Sequence, residues 1–146
     1  MSGFADIGAL PDNVIWRGAS VFARDNEGRM LLQLRDDYPG IAAPGQWGFF
    51  GGGVEPGETL DTAARREFLE ETGIDLAGEN LRPLVRFASQ ALTDGIVHVF
   101  ALERAIAPHE VALGEGAGFA FLTRLQVENF DLIENFREVL RRIDDF

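Results

Sequence analysis

The sequence contains neither cysteine nor lysine in its 146 residues. Without cysteine there are no disulfides, no thiolate nucleophile, no zinc ribbon and no iron–sulfur cluster. Without lysine there is no Walker-type phosphate loop and no Schiff-base chemistry. Two histidines, His98 and His109, are too few for a multi-histidine metal site. Positive charge is scarce as well: 13 basic residues, all arginine, face 24 acids, for a formal net charge of −11. Bulk nucleic acid and anionic membranes are recognised by clustered cations, so neither is an expected partner. Taken alone, the same acidity argues against any phosphate substrate.

Long apolar runs are also missing. The longest uncharged stretch, Tyr38–Val54, is interrupted by six glycines and two prolines, so it reads as loops and not as a membrane span. Met1–Asp12 carries acids and no basic region, unlike a secretory leader, and a cytoplasmic location is expected. What remains, 46% hydrophobic and 25% charged residues with no repeat or linker, suits a single domain over residues 1–146.

Val14–Arg24 and Arg29–Arg35 are apolar runs joined by Asp25-Asn26-Glu27-Gly28, which predicts a β-hairpin. Asp36–Gln46 is a Pro/Gly loop leading into a short aromatic segment, Trp47–Phe50. Thr59 is an N-cap for a helix running to Thr72, with Gly73 as its stop. Leu81–Leu92 and Gly95–Glu103 form a second strand pair around Thr93-Asp94-Gly95, Phe119–Leu122 is a short strand, and Leu132–Ile143 is an amphipathic helix. This order predicts an α/β or α+β sandwich with a mixed sheet.

The helix after Thr59 carries the chemistry. At roughly 100° per residue with Leu60 at zero, Ala63, Ala64 and Phe68 fall at about 300°, about 40° and about 80°, an apolar stripe. On the same wheel Glu67 falls at about 340°, Glu70 at about 280° and Glu71 at about 20°, on that stripe and not on the wet face. Three carboxylates at i, i+3 and i+4 repel one another and lose hydration near a core, so a positive group must compensate them. Arg66 neutralises one acid, not three. Oxygen ligands without His or Cys suit a hard divalent cation, Mg²⁺ or Mn²⁺.

Gly52, Glu58, Arg66, Glu67, Phe68, Glu70, Glu71, Gly73 and Ile74 stand at the spacings of the Nudix box, and the chain resembles the Nudix hydrolase family, MutT-like members included. A chance match is on the order of 10⁻⁷ at average residue usage. Phe68 stands where an aliphatic residue is usual, and Phe50 where many members have proline. The resemblance implies an α/β/α sandwich with a mixed sheet between helices. It also implies Mg²⁺-dependent water attack on a nucleoside diphosphate linked to another moiety, with Mn²⁺ as a substitute ion. Homodimers are common in such a family.

The resemblance makes the Gly51 carbonyl, Glu67, Glu70 and Glu71 metal ligands, with Glu70 doubling as a water-orienting base. Arg66 and Glu58 match the family's orienting ion pair. Glu115, in a glycine-rich segment, resembles a further carboxylate that acts as ligand or general base, with Glu110 as the fallback. Arg35, at the end of a strand, is a candidate for a substrate phosphate. Trp47, Phe49, Phe87 and Phe119 are candidates for stacking a base, against the plainer reading of core aromatics. His98, in an apolar strand, reads as a satisfied structural residue. The alternative function is a Nudix-fold sensor that binds a nucleotide without cleaving it. Isopentenyl-diphosphate isomerisation on the same fold needs a cysteine and drops out. The substrate is open between nucleoside triphosphates and nucleotide sugars.

Overall fold

The computed structural model describes residues 3–145, so Met1 and Ser2 of the leader reading lie outside it, as does Phe146. Eight strands run β1 (Ala5–Ile7), β2 (Trp16–Phe22), β3 (Met30–Leu34), β4 (Trp47–Gly48), β5 (Phe50–Gly53), β6 (Leu81–Ala88), β7 (Gly95–Leu102) and β8 (Gly118–Leu122). Three helices, α1 (Leu60–Thr72), α2 (Arg124–Val127) and α3 (Glu134–Arg141), complete the regular elements with two short 3₁₀ turns. A mixed five-stranded sheet has the order β1-β6-β7-β2-β5, and an antiparallel three-stranded sheet has the order β4-β3-β8. The α/β architecture with a mixed sheet is as expected.

Alternation along the central strands sorts two cores. Ala19 and Val21 of β2 join Phe100 and Leu102 of β7 against Ala63, Ala64 and Phe68 of α1. Phe22, Val99 and Ala101 point the other way, with Leu32 of β3 and Phe136, Val139 and Leu140 of α3. The large sheet is therefore covered on both faces. No helix among the described residues is long and apolar enough to cross a membrane.

The expected hairpin between Val14–Arg24 and Arg29–Arg35 exists only at its root. Leu31 N–H donates to the Ala23 carbonyl at 3.0 Å, and Arg24 bridges Met30. Beyond that point β2 joins the large sheet and β3 the small one. Both strands are buried on two faces, and a two-stranded ribbon cannot cover two apolar faces. The pairing of β6 with β7 is as expected, although β6 stops at Ala88 and residues 89–94 form the turn.

The last helix starts at Glu134, two residues later than its apolar period suggests. Asp131–Ile133 is held as extended chain instead: Trp47 N–H donates to Asp131 O at 2.8 Å, and Ile133 N–H to Trp47 O at 2.9 Å. Strand β1 and helix α2 were not expected. The former has three residues, too few to show alternation; the latter is announced only by its Thr123-x-x-Gln126 capping box.

Candidate active site

Helix α1 is fixed at both ends as its sequence demands. The Thr59 hydroxyl accepts from Thr62 N–H at 3.1 Å, and Gly73, at φ 75°, donates from its N–H to Leu69 O at 2.9 Å. A left-handed residue there favours glycine, which lacks the Cβ clash. Phe68, Ala63 and Ala64 anchor the helix on the sheet, and this anchoring sets where the glutamates stand.

Glu71 is only 3% exposed, yet it carries a carboxyl group. Gln33 Nε2 donates to its Oε2 at 3.3 Å and the Gly51 N–H also donates to the group, while Oε1 has no hydrogen-bond partner among the described residues. Burial, then the neighbouring Glu67 charge, pushes its pKa up to about 8. Glu67, with its side chain 16% exposed, is also raised, first by burial. Glu70 departs from expectation: its side chain is 49% exposed. At about 280° on the wheel it falls just outside the stripe that the helix buries.

Arg66 is the hub. Its Nε and Nη2 donate to Glu58 Oε2 and Oε1 at 2.7 and 3.0 Å, and Nη2 also donates to Gly53 O at 3.0 Å. Its Nη1 reaches Glu67 Oε1 at 2.9 Å and Glu70 Oε1 at 3.3 Å. The Arg66 hydrogen bond, followed by the Glu55 N–H, holds Glu58 down at about 2. A single guanidinium thus ties the box loop to three carboxylates of the box.

The second arm of the site comes from the chain before β8. Ala112 and Gly114 N–H groups donate to the α1 carbonyls of Thr72 and Glu71, both at 2.8 Å, which docks this segment on the helix end. Glu115 follows at once, exposed, with its carbonyl accepting from Gln33 Nε2 at 3.2 Å. Its charge acts on both Glu67 and Glu71. Glu110 is elsewhere, occupied by Arg104 and the Ala107 N–H. Of the two loop acids, Glu115 is the one beside the glutamates.

Some of these groups line a cleft of about 710 Å³ between the two sheets, while Glu58, Arg66 and Glu70 stand outside its lining. Gly51, Gly52, Glu67, Glu71, Glu115 and Arg35 all border it. Arg35 Nε donates to Ala42 O at 2.7 Å, and no acid pairs with its guanidinium among the described residues. Phe49 and Phe87 reach the cleft wall, but Trp47 stacks edge-on against Phe130 and Phe119 against Phe121, outside the cleft lining. Those two are packing residues. His98 lies on the opposite face of β7, buried against Phe4, with Nδ1 3.3 Å from Gly18 O. Burial lowers its pKa, as befits a structural histidine. Sequence reasoning missed Gln33, which joins Glu71 to the Glu115 backbone; a lone Gln at an alternating strand position carried no signal.

The arrangement fits a hard cation. Glu71 Oε1 is a buried acceptor without a donor, and Gly52 leaves room for the Glu67 carboxyl group, where an added β-carbon would collide with it. Among the described residues no three acidic or histidine side chains are gathered around one point; Glu67 and Glu70 are both hydrogen-bonded to Arg66.

A mixed sheet between helices, with a glutamate-bearing helix opening on an interlayer cleft, defines an α/β protein with an acidic cleft. The NUDIX domain family model matches residues 15–143, and the chain belongs to that family. Over 58 residues it is 47% identical to nucleoside triphosphatase NudI of Escherichia fergusonii and equally to that of Salmonella arizonae. Each match covers 40% of this chain and only 40% of the relative's length. Among solved structures, the MutT protein from Methanosarcina mazei Go1 superposes with a TM-score of 0.73 at 25% identity, over 92% of this chain and 96% of that one. An Ap4A hydrolase from C. elegans shares the fold, with a TM-score of 0.68 at 20% identity over 90% and 97%.

Proposed function

We propose that the chain is a Mg²⁺-dependent hydrolase of nucleoside diphosphates linked to another moiety, with nucleoside triphosphates the first class to test and nucleotide sugars the second. The observation that carries this reading is the buried Oε1 of Glu71, without a partner among the described residues, beside Glu67 in the cleft. The match to nucleoside triphosphatases supports the order of substrates.

Glu67, Glu71, Glu70 and the Gly51 carbonyl would hold the cation, with Mn²⁺ as a substitute. Bound there, such an ion neutralises diphosphate oxygens and lowers the pKa of water. Glu71 must give up its proton to serve, a loss that its burial opposes in the metal-free protein. Arg66 holds Glu67 and Glu70 in reach and anchors them through Glu58 to the box loop. Glu115 and Glu70, the two exposed carboxylates, are the acceptors for the proton of the attacking water. Arg35 binds a phosphate oxygen through guanidinium nitrogens that no acid occupies. A sensor that binds without cleaving has no use for clustered, desolvated acids, which disfavours the alternative.

The test is a screen of nucleoside di- and triphosphate derivatives with and without Mg²⁺, with products identified by chromatography. Turnover that needs the ion, and that Glu71→Gln abolishes, is expected. No turnover of any diphosphate-linked compound, or equal turnover by Glu71→Gln, overturns the reading.

A further inference from the structure

Trp16 opens β2 and borders the cleft half-buried. Under its ring lie glycines of three adjacent strands. A β-carbon on Gly18, two residues along β2, would collide with ring carbons Cη2 and Cζ3. One on Gly53 of β5 would stand 3.3 Å from the indole Nε1, and one on Gly95 of β7 3.0 Å from Cε3. The register explains this arrangement, since Trp16 pairs with Gly95 and Gly18 with Gly53. Contacts at the far rim and at both sides of the indole mean that the ring lies flat in the layer those β-carbons would fill. Its other face is turned to the cleft, and among the described residues it has neither an aromatic neighbour nor an acceptor for its N–H.

We infer that Trp16, laid flat on Gly18, Gly53 and Gly95, is the platform on which the nucleobase of the substrate stacks. This rests on the nucleotide reading above. Every base has a π-face, and stacking on a rigid indole is a sequence-tolerant way to hold one. Strand β5 is the sheet edge, with Gly53 under the indole and Gly52 beside the Glu67 carboxyl group. Ring and carboxylates therefore stand on opposite faces of this one edge strand, and a nucleotide joining them would pass around its free edge. Phe49 and Phe87 also border the cleft, but they are buried in the core with edge or tilted ring partners. Phe136, which also borders the cleft, packs on both of them, so among the described residues Trp16 alone of the cleft aromatics offers an uncommitted face. An aromatic also covers strand glycines for stability, and that role by itself predicts no effect on substrate affinity.

The chain has two tryptophans, so Trp47→Phe leaves Trp16 as the sole reporter. Its emission is titrated with AMP, GMP and CMP, which carry no diphosphate bond, and with inorganic pyrophosphate. Saturable quenching by the monophosphates and none by pyrophosphate is expected. In the kinetic arm Trp16→Leu raises KM for the nucleotide turned over about tenfold with kcat within twofold, and Trp16→Phe restores most of the loss. Trp16 emission that stays unchanged while monophosphates bind by calorimetry, or that responds to none of them at millimolar levels, overturns the platform. So does a fall in kcat at constant KM. If Trp16→Leu does not fold, the titration of Trp47→Phe still decides. Quenching without hydrolysis of any diphosphate compound strikes the hydrolase reading and leaves the platform standing.

Discussion

The Glu67 carboxyl group occupies the space in which Gly52 would otherwise carry a β-carbon. The flexible end of a side chain, not backbone, meets that carbon, so Gly52→Ala is expected to leave the fold within about 1 kcal/mol of wild type while pushing Glu67 aside. Cation affinity, measured by calorimetry, falls by about tenfold or more. Gly51→Ala contrasts with it: there the collision is with Ala19 O and the Ser20 backbone, and the melting temperature itself drops.

Glu71→Gln separates stability from activity. Turnover falls roughly a hundredfold or more, the scale for losing a group that holds or supports a metal. The metal-free variant is nevertheless more stable than wild type near pH 8, because a neutral amide replaces a buried acid. Each kcal/mol gained raises the melting temperature of a chain this size by roughly 2–4 °C. An unchanged or lowered melting temperature of the metal-free variant at that pH contradicts the burial argument.

The metal-free protein has opposite pH responses at the two ends of the box. Glu71 is raised by burial, so its unfolded form loses its proton first, and stability falls as pH rises from about 4.5 to about 8. Glu58 is lowered by Arg66, so its contribution is present above about 4.5 and is lost as pH falls toward about 2. Denaturant melts of metal-free protein are expected to show greatest stability in mildly acidic buffer. Cation affinity rises across the upper window, since Glu71 must be deprotonated to bind.

Arg66→Lys keeps the charge and loses the fork. A single ammonium cannot donate to Glu58, Gly53 O, Glu67 and Glu70 together, so kcat/KM is expected to fall about 10- to 100-fold. If the lysine variant matches wild type, Arg66 acts through charge alone.

Glu115→Gln lowers kcat, and Glu110→Gln leaves kcat untouched while lowering thermal stability, because Glu110 caps the Ala107 N–H and pairs with Arg104. Parallel kinetics and melting curves read both. Unchanged kcat in Glu115→Gln removes that residue from the chemistry.

The box was legible because its spacing is written in one helix and one loop. Thr59, Gly73 and the Phe68 stripe locate α1, and α1 locates Glu67 and Glu71. Glu70 misled because a wheel has no sharp border, and a short step around the helix beyond buried Ala63 is already solvent. What joins distant segments was not legible. Whether Val14–Arg24 pairs with Arg29–Arg35 depends on what covers their second faces, which local alternation does not say. Gln33 and Trp16 became informative only when Glu71, Glu115 and three strand glycines were found beside them.

The parting of β2 and β3 sends the two strands into different sheets from an apex at Asp25–Arg29. That apex is stiff: the Asp25 carboxylate accepts from Glu27 N–H, Arg29 N–H and Arg29 Nε at 2.9, 2.8 and 2.6 Å. Beyond that turn Phe22, Leu32, Phe49 and Phe136 join the two sheets in one core, and Gln33 of β3 reaches Glu71 of α1. With the sheets fixed to each other by that core, the aperture is a property of the loops that border the cleft. Lengthening or trimming residues 36–46 or 89–94 would regauge the opening without disturbing the glutamates, so that size selection and bond cleavage are tuned on separate parts of one polypeptide.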